Sequence, residues 1–468
     1  MIGLFAATAT GRRSAAVLAS HLGPDAVVAE GPVRPALRRL WPRLRAMVFF
    51  LAPEDAIRLV GPMLSDRQTD PAVVCVDDAH RYAVVLSSGT ASGGNALAQR
   101  VGEVLDCVPV TSAAGDAVGS TPLDELVELL DAAVEGDLAQ CGIAVLEGAP
   151  VRLVNPMRFP LPAMPPNVGE EAEGPEWTVL VEDRIPVEPE QLPEWPGWPV
   201  RPASGKLLRL VPRTLVVGIG ATGGVSTTAV TSTLSRLQHE HGLDLRAVRS
   251  FATVDRKAGE RGIVEAVEDH GFWHAETAPP LLRYSAANLS EVDVPNPSAA
   301  VREATGTPSV AEAAALLAAR EHAGGGRIEL IVEKIVGDNV TVAAARVYPR
   351  GRLAVVGLGP GPADLRTPRA EAELLRAAAV IGPSRLLGQV RHLIRPGTRA
   401  ENIIPGAEAA AADRAVALAA AGSSVVLLDT TGVEAHDRVM AAVNRSEQSL
   451  TLVTVPGLAT EELSGESE

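Results

Sequence analysis

Short apolar, β-branched runs alternate with Ala- and Leu-rich stretches along most of this chain. The segments MIGLFAAT, AMVFFLA, AVVCVDD and YAVVLSS have the composition of buried strands, and SAAVLASHL and NALAQRVGEVLD have that of helices. A strand–helix–strand order favours parallel sheets that are covered by helices. The sequence therefore predicts an α/β fold of several small domains with mainly parallel sheets flanked by helices, joined by a Pro-rich middle segment.

The pattern changes along the 468 residues, a length that corresponds to roughly three domains. The middle contains NPMRFPLPAMPPNV and EDRIPVEPEQLPEWPGWPVRP, and dense proline disfavours helices and central strands, so we expect an irregular module there. The predicted divisions are an N-terminal α/β domain, a Pro-rich middle module with a linker, a second α/β domain and a last unit, over 1–125, 126–208, 209–347 and 348–468.

Composition argues against several classes of protein. The chain has 42 Lys and Arg against 57 Asp and Glu, and a net charge of −15 repels the phosphates of nucleic acids. No segment approaches 18 unbroken apolar residues, and Arg12 and Arg13 follow the first apolar run instead of preceding it. The three cysteines are far apart and the histidines lack ligand spacing, so we predict no disulfide framework and no metal site. We expect a cytoplasmic protein without nucleic-acid or membrane partners.

A strand runs into a glycine-rich turn at GIGATGGVS. Gly218, Gly220 and Gly223 have the G-x-G-x-x-G spacing, and such a turn lets backbone N–H groups approach an anion or a polar ligand. The acidic residue that a dinucleotide site needs about 20 positions later is not clear, and no lysine of a phosphate loop follows. A tight structural turn and a nucleotide-dependent oxidoreductase are both open interpretations.

The segment SFATVDRKAGERGIVEA brings four polar residues just past a predicted strand, namely Thr253, Asp255, Lys257 and Glu260. Ligands of open parallel sheets bind outside the carboxyl ends of the strands. A carboxylate beside an ammonium can hold a substrate carboxylate or act as an acid–base couple. A surface ion pair of little energetic value is the alternative.

A second polar stretch lies in the N-terminal part. TDPAVVCVDD begins with a turn at Asp70 and enters a strand, and SSGTASGGNALAQ leads small residues into a helix. The residues from Ser92 through Gly93 and Gly94 to Asn95 would present N–H groups near a helix start, which suits a carboxylate. Simple helix capping is the alternative.

As a set, these segments resemble the cobalt-precorrin-5A hydrolase family of cobalamin biosynthesis. TDPAVVCVDD and SGTASGGNALA resemble its N-terminal domain, NPMRFPLPAMP its middle region, and ATVDRKAGERGIVEA, EVDVPNPS and TPSVAEAAALLAA its C-terminal domain, so the likeness covers about 1–347. The resemblance implies a carbon–carbon bond hydrolase that opens a δ-lactone on a cobalt-precorrin macrocycle and releases two carbons as acetaldehyde. It implies no cofactor for this hydrolysis.

The resemblance also implies site residues. Its catalytic set comprises Asp255, Lys257 and Glu260. The macrocycle carries many carboxylates, and the residues that would bind the substrate are Arg58, Asp70, Ser92, Gly93, Gly94, Asn95, Gly220 and Thr253.

The segment GRLAVVGLGPGPADLRTPRAEAELLRAAAVIG resembles the first lobe of the tetrapyrrole methylases, and among them the precorrin-3B methyltransferase that acts at carbon 17. The resemblance implies S-adenosylmethionine at a turn formed by Gly357, Gly359, Pro360 and Gly361. The family's second lobe does not follow. In the loop that holds the cofactor in the family, Thr430 and Thr431 stand in place of glycines. We therefore expect a hydrolase fused to a truncated methylase lobe that binds the cofactor weakly or not at all.

The hydrolase motifs depart from the family in three places. Thr90 and Ser92 stand where the family has His and Gly, the stretch Ala221 to Gly223 replaces Cys-Arg-Arg, and TSAAGD replaces TTATD. These changes remove an imidazole and two cations, so a degenerate, non-catalytic tetrapyrrole-binding scaffold and a precorrin-3B methyltransferase-like protein are the alternatives. The expected partners are the precorrin macrocycle and other enzymes of the pathway, and a homodimer is also open.

Overall fold

The described residues form four sheets, each with helices packed against it, and the predicted α/β class is confirmed. Contacts divide the chain into two compact units, Met1–Ala117 and Val118–Glu468. Within the described part, no helix is long and apolar enough to cross a bilayer. The computed structural model describes residues 1–65, 70–77, 79–87, 93–110, 123–187, 205–274, 278–299, 302–303, 306–359, 366–446 and 449–457.

The first unit contains a six-stranded sheet of order β2-β1-β3-β4-β5-β6. Its strands β1 to β4 are parallel, and β5 is antiparallel to β4. The runs IGLFA, AMVFF and AVVCV are buried at every position, as central parallel strands are. The strands are β1 Ile2–Ala6, β2 Ala26–Val28, β3 Ala46–Phe50, β4 Ala72–Val76, β5 Tyr82–Ser87 and β6 Val108–Val110, and the helices are α1 Ala9–Leu22, α2 Val33–Leu40, α3 Pro53–Val60 and α4 Gly94–Leu105.

In its described residues the Pro-rich middle is a regular module, so the expectation of an irregular one was wrong there, and residues 188–204, at its predicted linker end, lie outside the described residues. It forms a five-stranded sheet of order β7-β11-β10-β8-β9. The prolines fall mostly between strands, such as Pro150 before β8 and Pro175 before β10, so VRLV and WTVLV are free to pair. β11 also runs across the expected division at residue 208. The elements are α5 Leu123–Leu130, β7 Ala132–Glu135, α6 Leu138–Leu146, β8 Val151–Val154, β9 Val168–Gly169, β10 Trp177–Val181 and β11 Lys206–Pro212.

The next sheet has the order β14-β13-β12-β16-β15. β12, β13 and β14 are parallel, and the hairpin of β15 and β16 lies antiparallel beside β12. Val217 and Ile219 of β12 pack with α7 and α8 on one face, and Val216 packs with α10 on the other. The elements are β12 Leu215–Ala221, α7 Thr227–His239, β13 Val248–Val254, α8 Arg261–His274, β14 Leu281–Tyr284, α9 Ala286–Ser290, α10 Ala311–Ala323, β15 Ile328–Val336 and β16 Val340–Val347.

A buried ion pair joins the middle sheet to this one. Arg346 of β16 donates two hydrogen bonds of 2.7 and 2.6 Å to Asp183, just past β10, and Thr214 donates a third of 2.5 Å to the same carboxylate. A buried carboxylate needs such partners because charge is costly to remove from water. The Asp183 carboxylate is therefore satisfied only when both sheets are in place.

The last sheet is parallel throughout and has the order β19-β18-β20-β17-β21. Its amino edge contacts the middle module, where Ser424 donates a 3.0 Å backbone hydrogen bond to Leu161 and Arg395 donates one of 2.9 Å to Glu125. Its carboxyl edge is the one that a parallel sheet offers to ligands. The elements are β17 Gly351–Gly357, α11 Pro368–Arg376, β18 Ala379–Gly382, α12 Ser384–Val390, β19 Arg399–Asn402, α13 Glu408–Ala420, β20 Ser424–Asp429, α14 Val433–Ser446 and β21 Leu450–Val455.

Candidate functional site

Two loops meet at the carboxyl edge of β12 and β13. The first follows β12, and the second is a short 3-10 turn, Asp255–Lys257, that follows β13 and leads into α8. The Gly224 N–H of the first loop donates a 2.7 Å hydrogen bond to Glu260 Oε1 of the second. Gly224 has a φ of +77°, which glycine adopts without strain. This hydrogen bond therefore fixes the two loops relative to each other at the edge of the sheet.

Lys257 is held at this edge by Glu260. Its Nζ donates a 3.2 Å hydrogen bond to Glu260 Oε2, and the two side chains are 23 % and 20 % exposed. The Gly224 N–H and the Lys257 ammonium hold the pKa of Glu260 below its ordinary range. A Cβ placed on Gly223 would lie 3.5 Å from Lys257 Nζ, so the ammonium lies over the turn. Glu260 thus stays ionised and positions a cation.

Asp255 lies at the start of the same turn. It is exposed, and its Oδ1 accepts a 2.7 Å hydrogen bond from the Arg256 N–H. This bond fixes the carboxylate beside the carboxyl end of β13, two residues from Lys257. The structure therefore brings all three predicted catalytic residues to one edge of one sheet.

Two predicted substrate-binding residues of this domain do not face a ligand. Thr253 is fully buried, and its hydroxyl donates a 2.7 Å hydrogen bond to the Ile219 carbonyl, which ties β13 to β12. Gly220 lies inside β12, where a Cβ would come within 2.7 Å of Thr341 Oγ1. Both positions are engaged in the packing of the domain itself, and their assignment to the substrate stays a prediction that this packing does not support.

The packing around Gly218 disfavours the dinucleotide interpretation of GIGATGG. Gly218 lies within β12, and a Cβ there would overlap the Ala311 carbonyl at the start of α10. The glycine thus lets a helix approach the strand, and a phosphate would have to displace that helix. Gly218 therefore reports close packing of a helix backbone on the strand.

The remaining predicted substrate residues belong to the N-terminal unit. Asp70 lies just before β4 and accepts a 2.7 Å hydrogen bond from the Ser65 N–H. Gly93 has a φ of +62° and precedes α4, whose first turn contains Gly94 and the exposed Asn95. Because Val73 pairs with Ser87, the start of β4 and the end of β5 share one edge of the sheet.

Arg58 is an exposed residue in the last turn of α3. Ser92 and the divergent Thr90 lie outside the described residues. The N-terminal candidates therefore reduce to Arg58, Asp70 and the residues around the start of α4.

The glycine turn after β17 is closed by backbone. The Leu358 N–H donates a 3.0 Å hydrogen bond to the Asp429 carbonyl, and the Gly359 N–H donates one of 2.9 Å to the Thr430 carbonyl. A Cβ on Gly457 would lie 2.6 Å from the Gly359 nitrogen. Pro360 and Gly361 lie outside the described residues. The described part of the turn therefore does not fit the N–H cradle predicted for S-adenosylmethionine, because its donors are already used.

A polar cluster that the sequence analysis left without a role lies on the other face of the second α/β domain. Asn296 Nδ2 donates a 2.8 Å hydrogen bond to the fully buried Glu312 of α10, and Lys334 Nζ donates one of 3.1 Å to the Asn296 carbonyl. The segments PNPS and SVAE contributed to the family resemblance, but nothing in their spacing showed that they meet.

Family models match three stretches of the chain. Residues 35–116 match the cobalamin synthesis G N-terminal family, 215–345 the cobalamin synthesis G C-terminus, and 352–461 the tetrapyrrole (corrin/porphyrin) methylases. The chain combines both cobalamin synthesis G domains with a tetrapyrrole methylase domain. The site built by Asp255, Lys257 and Glu260 lies within the C-terminal one of the cobalamin synthesis G domains.

Curated relatives agree with these domains. The chain is 25 % identical over 332 residues to a cobalt-precorrin-5A hydrolase of Priestia megaterium, covering 68 % of this chain and 82 % of the relative. It is 26 % identical over 298 residues to one of Salmonella typhimurium, covering 60 % and 78 %. The structure of CobE, a protein of the cobalamin (vitamin B12) biosynthetic pathway, covers 29 % of this chain and 92 % of its own at 33 % identity, with a TM-score of 0.26. The cobalamin synthesis G domains belong to cobalamin biosynthesis, and the predicted family is confirmed.

Proposed function

We propose that this chain hydrolyses cobalt-precorrin-5A and releases acetaldehyde. The observation that carries the proposal is the Lys257–Glu260–Gly224 arrangement beside Asp255, a cation and two carboxylates at a ligand-binding edge. The extended match to relatives that bear the name of this reaction supports it.

The reaction needs two bond-breaking steps. Water adds to the lactone carbonyl, the ring C–O bond breaks, and the products of this step are a carboxylate and an alcohol. The alcohol then loses its proton as its C–O bond becomes C=O, and the adjacent C–C bond breaks with its electron pair left on the macrocycle. The two-carbon fragment leaves as acetaldehyde, and no oxidant or reductant is consumed.

The residues of the edge match these demands. Asp255 is the exposed carboxylate, and we assign it the proton acceptor for the attacking water. Lys257 supplies positive charge for the tetrahedral oxyanion or for a substrate carboxylate. Glu260 is a positioning residue, because its low pKa keeps it ionised and bonded to Lys257.

The N-terminal unit, taken by itself, has groups that suit an anionic ligand. We propose that the start of α4, with Gly93, Gly94 and Asn95, binds a substrate carboxylate through backbone N–H groups. Arg58 is an exposed cation of the same unit and fits the same ligand class. Asp70 lies just before β4 and is a structural partner in this proposal.

The decisive experiment is an acetaldehyde assay. Purified full-length chain is incubated with cobalt-precorrin-5A, and acetaldehyde is measured through a coupled alcohol dehydrogenase. Product that depends on enzyme concentration supports the proposal. Binding of the substrate without product above a boiled control overturns it in favour of the non-catalytic scaffold.

A tetrapyrrole methylase domain suggests use of S-adenosylmethionine. The Leu358 and Gly359 N–H groups are committed to the chain's own carbonyls, so we propose that this domain does not bind the cofactor tightly and assign it no methyl-transfer step.

A further inference from the structure

Lysine is scarce in this chain. Of its 42 basic residues only three are lysines, Lys206, Lys257 and Lys334, and the rest are arginines. Lys206 lies over the Trp177 ring, 5.1 Å from its centre, in the middle sheet. The other two belong to the second α/β domain, one of them in the site described above. A lysine offers a compact ammonium that the planar guanidinium of arginine does not replace.

The side chain of Lys334 is half-buried and held in place. Its Nζ donates one hydrogen bond, 3.1 Å long, to the Asn296 carbonyl, and no carboxylate lies within ion-pair distance among the described residues. The Asn296 amide is in turn bonded to Glu312 and to Glu333, both at 2.8 Å. The ammonium thus has donors left over while its position is set by neighbours.

Lys334 also lies near the carboxyl end of β15. Register shifts interrupt the pairing of β15 with β16 between Val332 and Ile335, and bulges of this kind redirect side chains next to binding sites. Val336 pairs with Thr341, which pairs with Gly220, so Lys334 lies close to the edge where β12 ends. Lys257 follows β13 and Lys334 lies on β15, and β12 and β16 lie between these two strands. The two strands are therefore three strand spacings apart, or about 14 Å.

Two buried polar atoms of the cluster around Lys334 have no hydrogen-bond partner among the described residues. Glu312 Oε1 accepts hydrogen bonds from the Asn296 amide and the Lys334 N–H, but its buried Oε2 has no partner among the described residues. The buried Ser309 Oγ, three residues earlier, has none either within that part of the chain. Buried polar atoms of folded proteins are nearly always bonded, so these two exceptions indicate that a water or a bound group completes the cluster. As a carboxylate oxygen Glu312 Oε2 needs a donor such as water, whereas the Ser309 hydroxyl, like the remaining N–H groups of Lys334, is a donor that suits an acceptor such as a carboxylate.

We propose that Lys334 binds a peripheral carboxylate of the substrate, on the opposite side of β12 from Lys257. Glu312 is the positioning residue, since it holds both Asn296 and the backbone of Lys334. Lys257 and Lys334 then bind one polyanionic macrocycle from two sides of β12 at the edge of the sheet. The inference rests on the proposed function, because it takes its ligand class from that reaction.

The test uses two ligands that differ only in charge. One is a cobalt corrinoid with free peripheral carboxylates, and the other is its fully amidated counterpart. Dissociation constants are measured by absorption titration for the wild type, Lys334→Met, Lys334→Arg and the matched control Lys206→Met, with thermal melts to show that each variant is folded. We expect Lys334→Met to weaken the carboxylate ligand about tenfold or more, the order of one charge-assisted hydrogen bond. Lys334→Arg should recover only part of that loss.

Selectivity decides the outcome. The amidated ligand should bind Lys334→Met and wild type equally, and Lys206→Met should match the wild type for both ligands. Equal weakening of both ligands by Lys334→Met, or no weakening, overturns the inference. Acetaldehyde release by the wild type is scored separately, so a selective binding loss without any turnover would uphold Lys334 as an anchor and refute the hydrolase instead.

Discussion

β12 and β17 both run into glycine-rich turns, and their sequences, VVGIGATGG and VVGLGPG, look alike. After β12 the loop donates its Thr222 N–H to the Asn339 carbonyl and its Gly224 N–H to the Glu260 carboxylate, and Lys257 lies over it. After β17 the N–H groups of Leu358 and Gly359 are spent on the carbonyls that follow β20. A glycine motif therefore shows where another part of the chain comes close to the backbone. Whether the turn can bind a ligand depends on whether that part is a charged side chain or a main-chain carbonyl.

The two edges differ in what they offer a ligand. The edge of β12 and β13 gathers an ammonium and two carboxylates, while the described part of the β17 edge is closed by main-chain hydrogen bonds. Charged side chains can select and activate a substrate, whereas satisfied backbone groups cannot. Activity should therefore depend on the first edge.

Asp255→Asn tests that dependence most severely. Loss of the proton acceptor should lower kcat for acetaldehyde release by roughly 10²- to 10⁴-fold, with little change in stability because the side chain is exposed. The measurement is the coupled assay, and Asp269→Asn on the exposed face of α8 is the control. Wild-type turnover in the Asp255 variant would remove it from the mechanism.

Gly218→Ala tests whether the glycines of β12 serve packing. The new methyl group would overlap the Ala311 carbonyl, so we expect unfolding free energy to fall by about 3 kcal/mol. Urea denaturation measures this, and Gly388→Ala is the control because nothing lies within 4 Å of its Cβ position. A midpoint that stays at the wild-type value would revive a ligand-binding role for this turn.

Glu260→Gln tests the positioning of Lys257. Without the negative charge the ammonium is held less well, and kcat/KM should fall roughly 10- to 100-fold. The pKa of Glu260 lies below its ordinary range, so the wild-type carboxylate gains a proton only at pH values lower than an ordinary glutamate would. Glu260 therefore should not shape the rate profile near neutral pH. A variant whose acid limb shifts at pH 5 to 7 would contradict this assignment.

The smallest effect should be seen with S-adenosylmethionine. Because the described N–H donors after β17 are engaged, titration of the full chain with tens of micromolar cofactor should give no heat by calorimetry. Each lost hydrogen bond is worth about 1 kcal/mol, and each 1.4 kcal/mol is a tenfold change in affinity. Micromolar binding would erase the contrast between the two edges.

Much of the fold could be predicted from local pattern. Apolar runs such as AMVFF and AVVCV predict buried parallel strands because every position is apolar. The grouping of Asp255, Lys257 and Glu260 was predictable too, since they lie within six residues and directly follow a strand. The sheet of the middle module could not be predicted in this way. Proline content shows where a backbone N–H is missing, but it does not show whether the short apolar runs between the prolines pair as strands.

By itself the sequence determined the α/β class, the family and the neighbourhood of Asp255, Lys257 and Glu260, because these depend on periodicity and on residues adjacent in the chain. Only the tertiary structure decided that Thr253 and Gly220 are packed away, and that Asn296, Glu312 and Lys334 meet. Such outcomes depend on which element packs on which face. That choice follows from the burial of whole surfaces between segments far apart in sequence, which no local spacing records.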